Sequence, residues 1–362
     1  MFERQPLSAV NYLFCQLFNA HCSLVLTSYY LLLFTVFCSP LVYKPISNIL
    51  NVPLLIFKTS IDSNFLYTMK LSVSKALVFS AFALIVLFII FLIATSLRTK
   101  SFKVKDNVSE IYVGDSRVRY AIDDRMLDNS LNLGNSSEST YFSYFKLKQI
   151  LKSSPSIRTV YLGFSYHNIS SYYDQFIFGK YSHSISPNYF FILSLTEQYR
   201  MIKWNFKRLP FFLISILKSG MKNWFRKDML ESGFSNQHIN EAVNSRIIDE
   251  RLKLQYYSNE ELNSFSSLNS EYFNKIVDLC NVHQVELIIL NTPMHHYYQA
   301  HVPQKFIDEY NSITDSHNLR TIDLSSIELP ENGFQADGDL VTKIGALKTT
   351  KKLLEMKKSH SK

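Results

Sequence analysis

The chain has four cysteines in 362 residues, and only Cys280 lies beyond the first 38 positions. An intramolecular disulfide is therefore excluded from the larger part of the protein, and no Cys and His spacing describes a structural zinc site. Cys280 sits in an apolar helical stretch, where a thiol is a buried small hydrophobe rather than a nucleophile. The sequence has neither a P-loop nor a Gly-x-Gly-x-x-Gly run, so the usual phosphate cradles are missing and a nucleotide-binding flavodoxin-like protein is disfavoured. A formal net charge of +8 suggests nucleic acid, but Lys and Arg are scattered. No basic stripe, zinc finger or RNA-binding aromatic signature accompanies them. No internal repeat or low-complexity block emerges.

Charge is missing from two stretches. No acidic residue occurs between Glu3 and Asp62, and no charged residue at all from 76 to 97, a run of 22 residues rich in Leu, Ile, Phe, Val and Ala. That run is long enough for a transmembrane helix. Lys70 and Lys75 precede it while Arg98, Lys100, Lys103 and Lys105 follow, so flanking charge does not orient it. The first 68 residues carry Cys15, Cys22 and Cys38 and admit two readings. One is a second membrane segment over the uncharged residues 22 to 38. The other is a natural start at Met69, because Met69-Lys70-Leu71-Ser72-Val73-Ser74-Lys75 before an apolar stretch has the form of a signal anchor.

What remains is long enough for one main globular domain with an insertion. Short apolar runs at 110–113, 130–133, 159–162, 286–290 and 321–324 read as strands. Between them, residues 141–151 place Phe142, Phe145, Leu147 and Ile150 near one helical face, and residues 272–279 do the same with Phe273, Ile276 and Val277. Strands alternating with helices imply a doubly wound parallel sheet. Residues 343–356 read as a closing helix packed beside the first strand's turn. Residues 170–268 interrupt the alternation with a helical insertion dense in Phe and Tyr, holding Trp204, Trp224 and basic groups from Arg200 to Lys227. An aromatic core with solvated lysines is the favoured reading over a lid or a lipid-touching platform, since aromatic periodicity more often means packing.

The chemistry concentrates at Val113-Gly114-Asp115-Ser116-Arg117, where the first strand turns into a helix. Ligands of open α/β sheets sit beyond the strand carboxyl ends, and a Gly-Asp-Ser turn there offers close backbone approach, a capping carboxylate and a hydroxyl. Taken alone, the triplet reads more readily as a helix cap, with Asp115 or Ser116 satisfying free amide groups. Further blocks follow in order: Asn132-Leu133-Gly134-Asn135, then Gly163-Phe164-Ser165-Tyr166-His167-Asn168, and finally Asp337-Gly338-Asp339-Leu340 with Gly345-Ala346.

On these blocks, residues 108 to 358 resemble the SGNH/GDSL hydrolase superfamily, a flavodoxin-like three-layer α/β fold. With its N-terminal anchor the chain is similar to envelope proteins such as the D-alanyl-teichoic-acid transfer family. The resemblance implies strand order 2-1-3-4-5 and a domain outside the cytoplasm. It makes Ser116 the nucleophile and sets the Ser116 amide, the Gly134 amide and the Asn168 side chain around an oxyanion, beside Asp115. It also makes Asp337 the orienting carboxylate. Three residues after Asp337, where the family has its catalytic histidine, this chain has Leu340. A serine is a poor nucleophile without a base, so His167 first, and His295 or His296 after it, are the replacements to look for; the bland reading of the last two is a solvated or substrate-contacting loop. Asp339 reads as a surface acid. Two function classes follow: an envelope esterase or O-acyltransferase working on an acylated polysaccharide or polymer through an acyl-serine, or an impaired member binding a glycan or a partner protein. Neither a cofactor nor a metal is expected.

Overall fold

The computed structural model describes residues 74–82, 85, 86, 89, 102–224, 233–235 and 242–360. The chain divides into two units, residues 1–77 and 78–362, and of the first only residues 74–77 are described. Both readings of the first 68 residues therefore lie outside the described residues. Residues 74–82 are helical and Leu77, Val78, Phe79 and Phe82 are largely exposed. Among the described residues no helix is long and apolar enough to cross a membrane. Most of the run 76–97 falls outside them.

A five-stranded, wholly parallel sheet forms the centre of the second unit. Its strands are β1 (Glu110–Val113), β2 (Ser130–Asn132), β3 (Thr159–Gly163), β4 (Glu286–Asn291) and β5 (Arg320–Asp323), arranged 2-1-3-4-5. Tyr112 pairs with Asn132 on one side and Tyr161 on the other, and Leu162 pairs with Ile289. The central runs β1, β3 and β4 are apolar because a parallel sheet is covered on both faces, whereas the edge strand β5 buries only Ile322. Successive side chains then point to opposite layers.

One layer gathers Ile111, Val113, Val160, Leu162 and Ile289 with Phe142, Phe145 and Ile150 of α2 (Thr140–Ser153) and Phe273, Ile276 and Val277 of α7 (Ser267–Val282). The other gathers Tyr112, Tyr161, Ile288 and Leu290 with Val118 and Ala121 of α1 (Ser116–Ala121) and Ala346 and Leu353 of α10 (Lys343–His360). Each fully buried Phe or Ile here contributes about 1.5–3 kcal/mol relative to exposure. The closing helix lies against α1, as its sequence position implied: Thr350 Oγ1 accepts the Asp123 amide at 2.9 Å.

The insertion is helical. It runs through α3 (Ser182–Tyr189), α4 (Leu195–Trp204), α5 (Leu209–Trp224) and α6 (Ser245–Tyr256), followed by a hairpin of Tyr257–Ser258 and Glu261–Leu262. Phe190, Phe191 and Phe212 join the large core, while Tyr172, Tyr173 and Phe176 form a small cluster of their own. After the sheet's fourth strand come α8 (His296–Ala300) and α9 (Gln304–Ser316).

Candidate functional site

The first turn is built as its sequence requires. Gly114 adopts φ +148°, and a Cβ there would stand 3.0 Å from the Gly163 carbonyl, so only glycine lets β1 leave the sheet so close to β3. Asp115 caps α1, its Oδ1 accepting the Arg117 amide at 2.9 Å. The carboxylate does more than cap. Its Oδ2 also accepts from His167 Nε2 at 2.6 Å, from the Tyr173 hydroxyl at 2.6 Å and from Asn168 Nδ2 at 3.1 Å. Four donors on one carboxylate bring the β1 turn, the β3 turn and the insertion's first turn together.

Burial would raise the Asp115 carboxyl, but His167 and the hydrogen bonds from it and Tyr173 outweigh that and hold it down at about 2. Burial and then Arg117 push His167 below its ordinary value, against the pull of Asp115. The pair is a carboxylate with a neutral imidazole whose proton sits on Nε2. Nδ1 is then a bare lone pair, and it is buried without a hydrogen-bond partner.

Ser116, the first residue of α1, is half-buried, and among the described residues nothing hydrogen-bonds its hydroxyl. Among the described residues no imidazole hydrogen-bonds Ser116 Oγ. The two other expected oxyanion donors are engaged elsewhere. The Gly134 amide donates to Asn132 Oδ1 at 2.9 Å, and a Cβ at Gly134 would come within 2.6 Å of the Arg119 amide nitrogen, which locks this glycine onto α1. Asn168 is held at both ends, its Oδ1 accepting the Ser165 amide at 2.8 Å and its Nδ2 donating to Asp115.

The C-terminal loop reaches the site through a different residue from the one its spacing suggested. Asp337 Oδ1 accepts the amides of Asp339 and Leu340, at 3.2 and 3.3 Å, and so shapes its own loop. Asp339 is no surface acid, since it is among the most buried charged residues of the domain. Its Oδ1 accepts Arg117 Nε at 2.6 Å and also Arg117 Nη2; its Oδ2 accepts Arg251 Nε at 2.8 Å and Gln255 Nε2 at 2.9 Å. Burial opposes its charge, but the two guanidinium groups overwhelm that and hold it far below the usual carboxylate range. Arg117 completes its fork on Ser165 Oγ at 2.9 Å and lies over the Tyr298 ring, 5.2 Å from its centroid. Leu340 is buried beside this cluster and brings no base.

His295 also departs from the solvated loop position expected of it. It is buried, its Nδ1 accepts the Tyr297 amide at 3.2 Å to start α8, and its Nε2 faces Glu331 at 3.3 Å. His295, His296 and Glu331 bring three potential ligand atoms within 4.8 Å of one another. With Nδ1 accepting, however, the ring proton resides on Nε2, so this geometry is a hydrogen-bonded cap rather than a lone-pair donor set.

Arg251, Gln255, Tyr173 and Arg117 had no separate signal in the sequence. The first two are the polar face of an insertion helix, and Tyr173 is one tyrosine among 22. Arg117 stands inside the pentad, next to the serine that drew attention.

No family model matches the chain, and no curated protein matches it in sequence. Among solved structures it is similar to a Streptococcus pneumonia protein whose description names platelet activating factor, at 12% identity and a TM-score of 0.36, over 76% of this chain and 98% of that one. A likeness at that level assigns no activity. The protein is a mixed α/β protein with a central five-stranded parallel sheet and a polar, charge-rich cluster at its carboxyl edge.

Proposed function

We propose that this is a membrane-anchored protein of SGNH-hydrolase type whose Ser116 turn binds an acylated envelope glycan or polymer without rapid acyl transfer. The anchor is the uncharged run 76–97, and the resemblance carried by the Gly-Asp-Ser, Gly134, His167-Asn168 and Asp337 blocks sets the domain outside the cytoplasm. One observation carries the functional half: among the described residues Ser116 Oγ has no base, because His167 Nε2 is committed to Asp115 and Leu340 stands where the family has its histidine. Without a proton acceptor a serine loses several orders of magnitude of reactivity, while binding survives.

The esterase or O-acyltransferase reading is favoured by a single feature, the unpartnered His167 Nδ1. Were that lone pair brought to Ser116 Oγ, it would take the hydroxyl proton as Oγ bonded the acyl carbon and return that proton to the alcohol oxygen as its bond to the acyl carbon broke, with Asp115 backing the opposite ring nitrogen. The acyl group would then rest on Ser116 until water or an acceptor hydroxyl released it.

A fluorophosphonate probe on the full chain separates the two. We expect labelling no faster than in Ser116→Ala, together with saturable calorimetric binding of an acylated teichoic acid that Ser116→Trp weakens. Leu340→His should raise turnover of a small activated ester at least about tenfold, a modest share of what a general base contributes. Rapid labelling that disappears in Ser116→Ala and in His167→Ala would establish the enzyme instead.

A further inference from the structure

Helix α5 is apolar on two opposite sides, and among the described residues only one of them is covered. Phe212 and Ile216 turn inward and join the core, at 1% and 5% exposure. On the other side Phe211 is 74%, Ile214 42% and Leu217 37% exposed, with Leu213 between them, and Phe206 just before the helix is 70% exposed. A helix hydrophobic all round belongs where both sides are buried. The fringe of this face is cationic: Lys203, Lys207, Arg208 and Lys218 are all exposed. From Gln175 to Lys227 the sequence holds nine Lys and Arg against one acid, Glu197, and that acid is paired with Arg200 at 3.1 Å.

We propose that this outer face of α5 and the turn before it lie on an anionic lipid surface, with the aromatic and aliphatic side chains at the acyl boundary and the cations among the headgroups. The charge selects the occupant, since an apolar stripe edged by lysine and arginine suits a negatively charged interface and lacks the acids a basic partner would need. The tether supports the same choice. The inference rests on the anchor reading given above: if residues 76–97 span the bilayer, only residues 98–101 separate the span from Phe102, which is already in the core. Four residues reach at most about 14 Å. A domain held that close meets the bilayer at high effective concentration, and some part of its surface must face lipid. Among the described residues of the insertion, α5 offers the chemistry for that contact.

The protein carries its own reporter, because its two tryptophans, Trp204 and Trp224, both lie in the insertion. The full chain is reconstituted into vesicles of phosphatidylcholine with phosphatidylglycerol, with and without bromine on the acyl chains. Flotation reads anchoring, and loss of tryptophan emission reads the contact of the insertion with lipid. The proposal expects wild type to float and to be quenched by brominated lipid. It expects the combined variant Phe211→Ser, Ile214→Ser and Leu217→Ser to float, keep its circular dichroism and lose the quenching. Quenching should also weaken when phosphatidylcholine replaces phosphatidylglycerol. A wild type that floats without quenching overturns the inference and leaves the anchor intact. One that fails to float but is quenched on mixing with anionic vesicles overturns the anchor and upholds the inference. Loss of both overturns both. Quenching that persists in the serine variant, or is equal in pure phosphatidylcholine, refutes the assignment to this face or to anionic lipid.

Discussion

Asp339 and Glu138 are both carboxylates almost entirely removed from water, each only 1% exposed, and both lie beside loops that shape the Ser116 turn. They are stabilised on opposite terms. Asp339 is gripped by two guanidinium groups and an amide, so its charge is fully matched in place. Glu138 has one cation, Lys146 Nζ at 2.6 Å, with Ser143 Oγ at 2.6 Å and the Tyr189 hydroxyl as further donors, while Lys146 also donates to the Leu133 carbonyl at 2.5 Å. Burial raises Glu138 despite those contacts and lowers Lys146 despite its partner, the reverse of the shift at Asp339. Charge count decides the difference: two fixed guanidinium forks can repay the desolvation of the carboxylate and of the buried Arg117, whereas a single ammonium must repay its own desolvation and its partner's through one contact.

The largest effect should come from Arg117→Met, which removes the deeper of the two forks. We expect a loss of about 3–5 kcal/mol in urea unfolding, the range for breaking a buried pair. The deficit should change little between pH 7 and pH 5, because Arg251 still holds Asp339 ionised. Lys146→Met should cost less, about 1–3 kcal/mol at pH 7. Its deficit should shrink as the pH falls toward 5, because the stranded Glu138, already raised, takes up a proton and becomes a satisfied neutral acid. Equal deficits with equal pH dependence would abolish the distinction between the clusters.

The smallest and sharpest test uses Asp174, a carboxyl pushed up to about 6 by burial and held by one donor, Ser266 Oγ at 2.5 Å. Its folded pKa lies above its unfolded value, so the folded state binds the proton more tightly. Its contribution is fully present below about 4 and is lost as the pH rises through about 6. Asp174→Asn should therefore flatten that part of the stability profile, read from unfolding midpoints at a series of pH values.

Much of this architecture could be read in advance. The central strands were visible because a strand buried on both faces must be apolar along its length, as the runs at Glu110–Val113 and Thr159–Gly163 are, while the edge strand Arg320–Asp323 buries only Ile322. The faces of α2 and α7 were visible through Phe142, Phe145, Phe273 and Ile276, spaced for one side of a helix. The polar centre was legible only where it lay on a turn. Asp115, His167 and Asn168 follow strands, so their position implied convergence. Arg251 lies mid-helix and Gln255 in the last turn of α6, in a long insertion where polar residues ordinarily face water, and nothing local says that α6 folds back to the sheet edge. Asp339 was passed over because its neighbour Asp337 held the position the spacing favoured. Two residues of register decide which carboxylate meets Arg117.

That partnership joins residues 222 positions apart, which has a consequence for synthesis. On the ribosome Arg117 emerges long before Asp339, and α10, which covers Tyr112, Tyr161, Ile288 and Leu290, emerges later still. A nascent chain that has formed β1 through β4 holds an apolar sheet face without its cover and a guanidinium without its carboxylate. Such a chain cannot finish piecemeal from its first half. The layer that α10 completes can close only after α10 has emerged, and until then the open face depends on whatever shields it.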